Sequence, residues 1–162
     1  MRTLPVLALT VGMACCAVAD ASAQSRPNWR ATPIFGTVNL EAGFAPDPAT
    51  REIAAGGDNR YSQGGCVGYI NNSAPDLDLN YTAGSLPLTL SAASSSDVML
   101  VVYTPDGRWL CDDDSAGELN ASITIRSPKS GNYNIWIGTA SATSERPSAI
   151  FGVSEVGTNV HE

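Results

Sequence analysis

Five oxygen-bearing side chains offer the most concentrated chemistry in this chain. Asp112, Asp113 and Asp114 are adjacent, Asp97 precedes them and Asn120 follows. Carboxylates about 4 Å apart repel by about 1 kcal/mol in water, and by more where water is excluded. Two arrangements relieve that repulsion. A hard cation such as Ca²⁺, which takes roughly six to eight oxygen ligands, can offset the charge. Alternatively, the side chains can turn back to cap backbone N–H groups in a tight loop. The spacing departs from an EF-hand: counted from Asp112, the fifth position is Ala116 and the twelfth is Ile123. If calcium sits here, it stabilises the loop and takes no part in a reaction. Glu118 lies in the same loop, and Asp106 joins the set only if its hairpin brings it to the same end.

Catalysis by other means has little to work with. A serine or cysteine nucleophile needs a neighbouring base, usually His. The chain has one His, the penultimate His161, in a tail with nothing to fix it. The same count argues against a His-rich zinc site. Hydrolysis by paired carboxylates stays open as an alternative, although no spacing marks such a pair. No catalytic residue is assigned, and the expectation is a protein that is not an enzyme.

Aromatic side chains supply a second kind of site. Trp136 alternates with Ile135 and Ile137, so it belongs to the opposite face of the same strand. There it is either exposed, where it would contact sugar or protein, or covered by a loop or the other sheet edge. Trp109 stands two residues before Cys111, and a Trp packed on a disulfide is a familiar sandwich core feature.

The start of the chain reads as an export signal. Arg2 gives the positive end, 4–19 is apolar, and Ala21-Ser22-Ala23 fits small-residue cleavage, leaving Gln24 first. The run is too short and Ala-rich for a membrane span. Cys15 and Cys16 fall inside it, but Gly12 and Met13 stand where a lipoprotein signal carries a Leu-like residue. The predicted organisation is a signal peptide over 1–23 and one domain over 24–162. The protein is expected in the periplasm or the medium. Cys66 and Cys111 remain after cleavage and are expected to form a disulfide, since no C-x-x-C spacing suggests a redox or metal pair. Loss of Arg2 and Asp20 leaves the net charge at −7. That acidity argues against nucleic acid and anionic membrane partners.

No long amphipathic helix follows the signal, and short alternating segments are separated by turn residues. Leu77, Leu79 and Tyr81 alternate with Asp78, Asn80 and Thr82; Leu86, Leu88, Leu90 and Ala92 repeat the pattern. Segments 98–103, apolar on both faces, and 108–111 flank Thr104-Pro105-Asp106-Gly107, a hairpin turn. Further strands are read at 34–40, 51–54, 66–70, 123–125, 133–137 and 149–154. The Gly-rich 56–65 is predicted to be a mobile loop and the tail after Glu155 to be loose. The fold class is all-β: an antiparallel β-sandwich of eight or nine strands.

Several motifs occur in a fixed order: Pro75-Asp76, Tyr81-Thr82-Ala83-Gly84-Ser85, Asp97-x-x-Leu100, Pro105-Asp106-Gly107, Asp112-Asp113-Asp114-Ser115 and Ser130-Gly131-x-Tyr133-x-Ile135-Trp136-Ile137-Gly138. Together they resemble the bacterial pre-peptidase C-terminal domain family, most strongly from Asp97 to Thr139. The resemblance implies a small jelly-roll or immunoglobulin-like sandwich of a kind commonly appended to secreted proteases, where it aids adhesion to substrate or secretion. No protease domain precedes it within this sequence, so a free-standing secreted module is expected. The leading functional expectation is a non-catalytic module that recognises a protein or polysaccharide surface, with calcium as its only cofactor candidate. The alternatives are an accessory, inhibitor or chaperone-like partner of a separate envelope or secreted protease, and a carboxylate-based hydrolase.

Overall fold

The computed structural model describes residues 26–117 and 119–160. The signal segment, Glu118 and His161 lie outside the described residues. Eleven strands form two sheets: β1 (Thr37–Glu41), β2 (Ala49–Ala54), β3 (Asn59–Gln63), β4 (Cys66–Ile70), β5 (Leu77–Thr82), β6 (Leu88–Ala93), β7 (Val98–Tyr103), β8 (Trp109–Asp112), β9 (Ala121–Ile125), β10 (Gly131–Thr139) and β11 (Ser148–Ser154). The larger sheet runs β1-β5-β10-β4-β3, with β7 on the other side of β10 and β8 beyond β7. The smaller sheet runs β2-β11-β6-β9. Pairing is antiparallel except between β1 and β5, which run parallel with Val38 opposite Leu79. The all-β sandwich is therefore present, with more strands than expected and one parallel pair.

One strand not expected from the sequence lies within the predicted mobile loop. Asn59–Gln63 pairs with Cys66–Ile70, with Tyr61 opposite Gly68. Polar residues on its open side hide the alternation, and only Tyr61 is buried. The tail also differs from the expectation. Val160 is buried, and its N–H donates to Ser91 Oγ on β6, while the Ser122 hydroxyl donates to Asn159. These bonds lay the tail across the smaller sheet.

The period-two pattern places the main core between the sheets. Leu77, Leu79 and Tyr81 of β5, Val98, Leu100 and Val102 of β7, and Tyr133, Ile135 and Ile137 of β10 face Leu88, Leu90, Ile123, Ile125, Phe151 and Val153. Strand β7 is apolar on its other face too. Met99 and Val101 join Trp136 of β10 in a second core with Tyr61, Cys66 and Ile70. The β3–β4 hairpin thus covers the outer face of the larger sheet. Gly68 makes this cover possible, because a Cβ there would collide with the Met99 sulfur and the Thr139 carbonyl.

Turns behave as their residues dictate. Gly107 adopts φ +81°, and its N–H donates to the Thr104 carbonyl, closing the β7–β8 hairpin. The Tyr133 hydroxyl donates to the Lys129 carbonyl and accepts from its N–H, tying the turn before β10 to the strand. Buried Glu155 accepts from the Tyr81 hydroxyl and from the Gly43 N–H, joining the end of β11 to β5 and the loop after β1.

One buried carboxylate repairs the larger sheet. Strand β10 pairs with β5 from Gly131 to Ile135 and then meets β4 only at Thr139. Between these points Ile137 has no strand partner on that side. Asp76 Oδ2 accepts its N–H at 2.7 Å, and the Gly56 N–H donates to its carbonyl at 2.7 Å. Asp76 is 2% exposed, and burial pushes its carboxyl up from 3.8 to about 7, against the opposing effects of the Ile137 N–H and Arg146. The folded state therefore holds a proton that the unfolded state releases between those pH values. This group's contribution is greatest near and below pH 4 and declines as pH rises toward 7. About three pKa units correspond to roughly 4 kcal/mol. Asp76→Asn keeps an oxygen acceptor for Ile137 and removes the titration. In urea unfolding from about pH 4 to about pH 8, the variant should lack the wild-type decline; parallel profiles for the two proteins would refute this assignment.

Candidate functional site

The acidic residues divide into two groups. Asp112, at the end of β8, spends its oxygens on the backbone. Oδ2 accepts from the N–H groups of Ser115 (3.0 Å) and Ser122 (2.8 Å), and Oδ1 accepts from the Ser115 hydroxyl (2.5 Å). Asn120 Oδ1 likewise accepts from the Ser94 N–H. Asp97 instead faces Asp113 and Asp114, and burial together with those two charges raises its carboxyl pKa. Asp106 lies at the opposite end of the β7–β8 hairpin, where the Thr104 hydroxyl and Arg108 Nε donate to it. Among the described residues, no three His, Cys, Asp or Glu side chains are grouped to hold a metal ion. The capping arrangement is present for Asp112 and Asn120.

Trp136 is not an exposed binding aromatic. It is fully buried, and its indole N–H donates to the Ala74 carbonyl at 2.8 Å. Its phase was read correctly, since it does sit on the outer face of β10, but the β3–β4 hairpin covers that face. Trp136 ends a run of tilted ring contacts: Trp29 with Tyr103, Tyr103 with Trp109 and Trp109 with Trp136, at centroid distances of 4.9, 4.8 and 5.4 Å. Trp109 and Cys111 both pack against this second core, so the expected neighbourhood of Trp and disulfide is present.

Cys66 and Cys111 form the disulfide, with Cα atoms 6.2 Å apart. It ties the tip of the β3–β4 hairpin to β8. A persistent bond of this kind indicates an oxidising compartment outside the cytoplasm. Among the described residues, no helix is long and apolar enough to cross a membrane.

Beside the disulfide lies an open groove of about 720 Å³ between β8 and β9. Each of these strands pairs on one side only, β8 with β7 and β9 with β6. Leu110, Ile123 and Ile125 line the groove with Tyr61 and Trp109, and Arg26, Arg108 and Arg126 also line it. All three arginines are exposed. Arg108 is shared with Asp106 through a 2.9 Å ion pair. The one carboxylate on the lining, Asp112, is occupied by its caps.

This groove was missed from sequence. Its arginines are scattered singly through an acidic chain, and no local run marks them. Only the opposition of two sheet edges gathers three of the nine basic residues around one cleft. Comparison with protein-family models gives no match, and comparison with curated proteins gives none either.

Because the bridge holds one wall of the groove, its loss should act on stability and on the second core together. Closing a loop over a sequence separation of 45 stabilises by about 4 kcal/mol on the chain-entropy model. The Cys66→Ser/Cys111→Ser variant should lose stability on that scale in urea unfolding, and its tryptophan emission should shift to the red as the hairpin loosens. Unchanged stability and emission would mean that packing alone seats the hairpin.

Proposed function

We propose that this protein is an exported, non-catalytic β-sandwich module that binds a macromolecular surface through the groove between β8 and β9. The observation that carries the reading is the composition of that groove. It combines a mixed polar and apolar lining, two strand edges with open sides and three exposed arginines, on a scaffold tied by a disulfide. Such a cleft is equipped to bind. It presents no His to serve as a base beside its serines, and its one carboxylate, Asp112, caps its own loop.

Export to the periplasm or the medium is supported by the apolar leader over 1–23 and by the disulfide. The ordered motifs from Pro75 to Gly138 support kinship with the pre-peptidase C-terminal domains, and hence a role in adhesion or secretion. A companion role beside a separate envelope protease is the same binding activity with a protein ligand.

The test is retention on insoluble envelope and extracellular material. The protein beginning at Gln24 should co-sediment, and Arg26→Glu/Arg126→Glu should reduce retention about tenfold, as expected when charge complementarity is reversed. Retention that is absent, or unaffected by the double variant, would remove the groove as the binding seat.

Calcium is the second part of the reading, favoured by the mutual repulsion of Asp97, Asp113 and Asp114. A cation would have to draw these three carboxylates together, because they are not grouped as ligands in this arrangement. Calcium should then raise the thermal midpoint relative to chelator, because a ligand of the native state adds to apparent stability. The Asp113→Asn/Asp114→Asn variant should abolish that rise. No rise in the unmodified protein would leave the loop held by its caps alone.

A further inference from the structure

The β8–β9 groove also carries information about the shape and charge of what it holds. This inference rests on the binding reading given above and narrows it to one ligand class. We infer that the groove takes an extended, acidic polypeptide segment, which adds a strand to one of the two open edges.

Backbone direction supplies the first argument. The Arg108 carbonyl accepts from the Thr104 N–H, so Arg108 points toward β7. By the two-residue alternation of a strand, Leu110 and Asp112 do the same, and the backbone groups of Trp109 and Cys111 point away, into the groove. On β9 the Ser122 N–H points away from β6 to reach Asp112 Oδ2. The same alternation turns Thr124 and Arg126 to the open side. Two edges with outward-facing amide and carbonyl groups thus border one cleft, and an incoming strand can satisfy either of them.

Charge supplies the second. The chain carries −7 overall, yet Arg26, Arg108 and Arg126 meet here, and the lining's one carboxylate is already used. A second copy of this chain is a poor occupant, since it would bring an acidic body and the same arginines to the contact. A segment with carboxylates at alternate positions presents them all on one face, where the guanidinium groups can pair with them.

The aromatic side chains argue against a sugar chain. Stacking on a carbohydrate needs a free ring face. Trp109 lies between Tyr103 and Trp136, at centroid distances of 4.8 and 5.4 Å. Tyr61 is only 3% exposed. With Tyr61 buried and Trp109 half-buried against two tilted rings, the groove offers little free ring face for a sugar.

The test is an amide-shift titration of ¹⁵N-labelled protein beginning at Gln24, using a capped peptide of about ten alternating Thr and Glu residues, long enough to span either edge. Shifts should concentrate at Trp109, Cys111, Thr124 and Arg126. Affinity should fall about tenfold or more for the Thr–Lys peptide, for Arg26→Glu/Arg126→Glu, and for a Thr–Glu peptide N-methylated at alternate residues. The charge-reversed protein should in turn prefer the Thr–Lys peptide. Absence of peptide binding, shifts remote from both edges, indifference to N-methylation, or binding of oligogalacturonate in place of the peptide would each overturn the inference. If envelope retention still depends on Arg26 and Arg126 in those cases, only the ligand class fails. If retention is also indifferent to them, the binding reading fails with it.

Discussion

The structure depends on strand β7 being apolar on both faces and on β10 turning Trp136 to the same outer side as Met99 and Val101. One face of each builds the core between the sheets, through Leu100, Val102, Ile135 and Ile137. The other face, with Met99, Val101 and Trp136, would lie in water without a second cover. Burying a large side chain contributes about 1.5–3 kcal/mol, so leaving three exposed would be costly in a domain of marginal net stability. The β3–β4 hairpin is that cover, and the disulfide from Cys66 to Cys111 ties its tip to β8.

The groove follows from this arrangement. A hairpin folded over the outer face leaves β8 at an edge, with Tyr61 and Gly64 of the hairpin on one side and β9 of the other sheet across the gap. Asp112 holds β8 to β9 through the Ser122 N–H, so it both caps its loop and connects the two sheets. An acidic loop that reads as a binding site in sequence is therefore partly a structural bridge. The cationic groove beside it has no local signature at all.

Asp76 illustrates the same division between local pattern and assembled fold. In sequence it is half of a Pro-Asp pair before a strand, a common turn. In the assembled sheet it fills the place of a missing strand partner for Ile137, and burial raises its pKa as a result. The two readings of Trp136, exposed or covered, were separated for a related reason. Alternation gave its face, but only the neighbouring hairpin determined whether that face was wet. Strand β3 was hidden because Asn59, Arg60, Ser62 and Gln63 carry no apolar alternation, and the burial of Tyr61 alone gives it direction.

Local patterns were enough to determine the all-β class, most strand positions, the Pro-Asp-Gly hairpin and the pairing of Cys66 with Cys111. Each of these rests on short-range periodicity, turn chemistry or a simple count of thiols. Tertiary structure alone decided which outer face is covered, which carboxylates are occupied, and that Arg26, Arg108 and Arg126 share one cleft. Those outcomes depend on residues far apart in sequence meeting across two sheets. The folding of one sheet against another sets such meetings, and no window along the chain contains them.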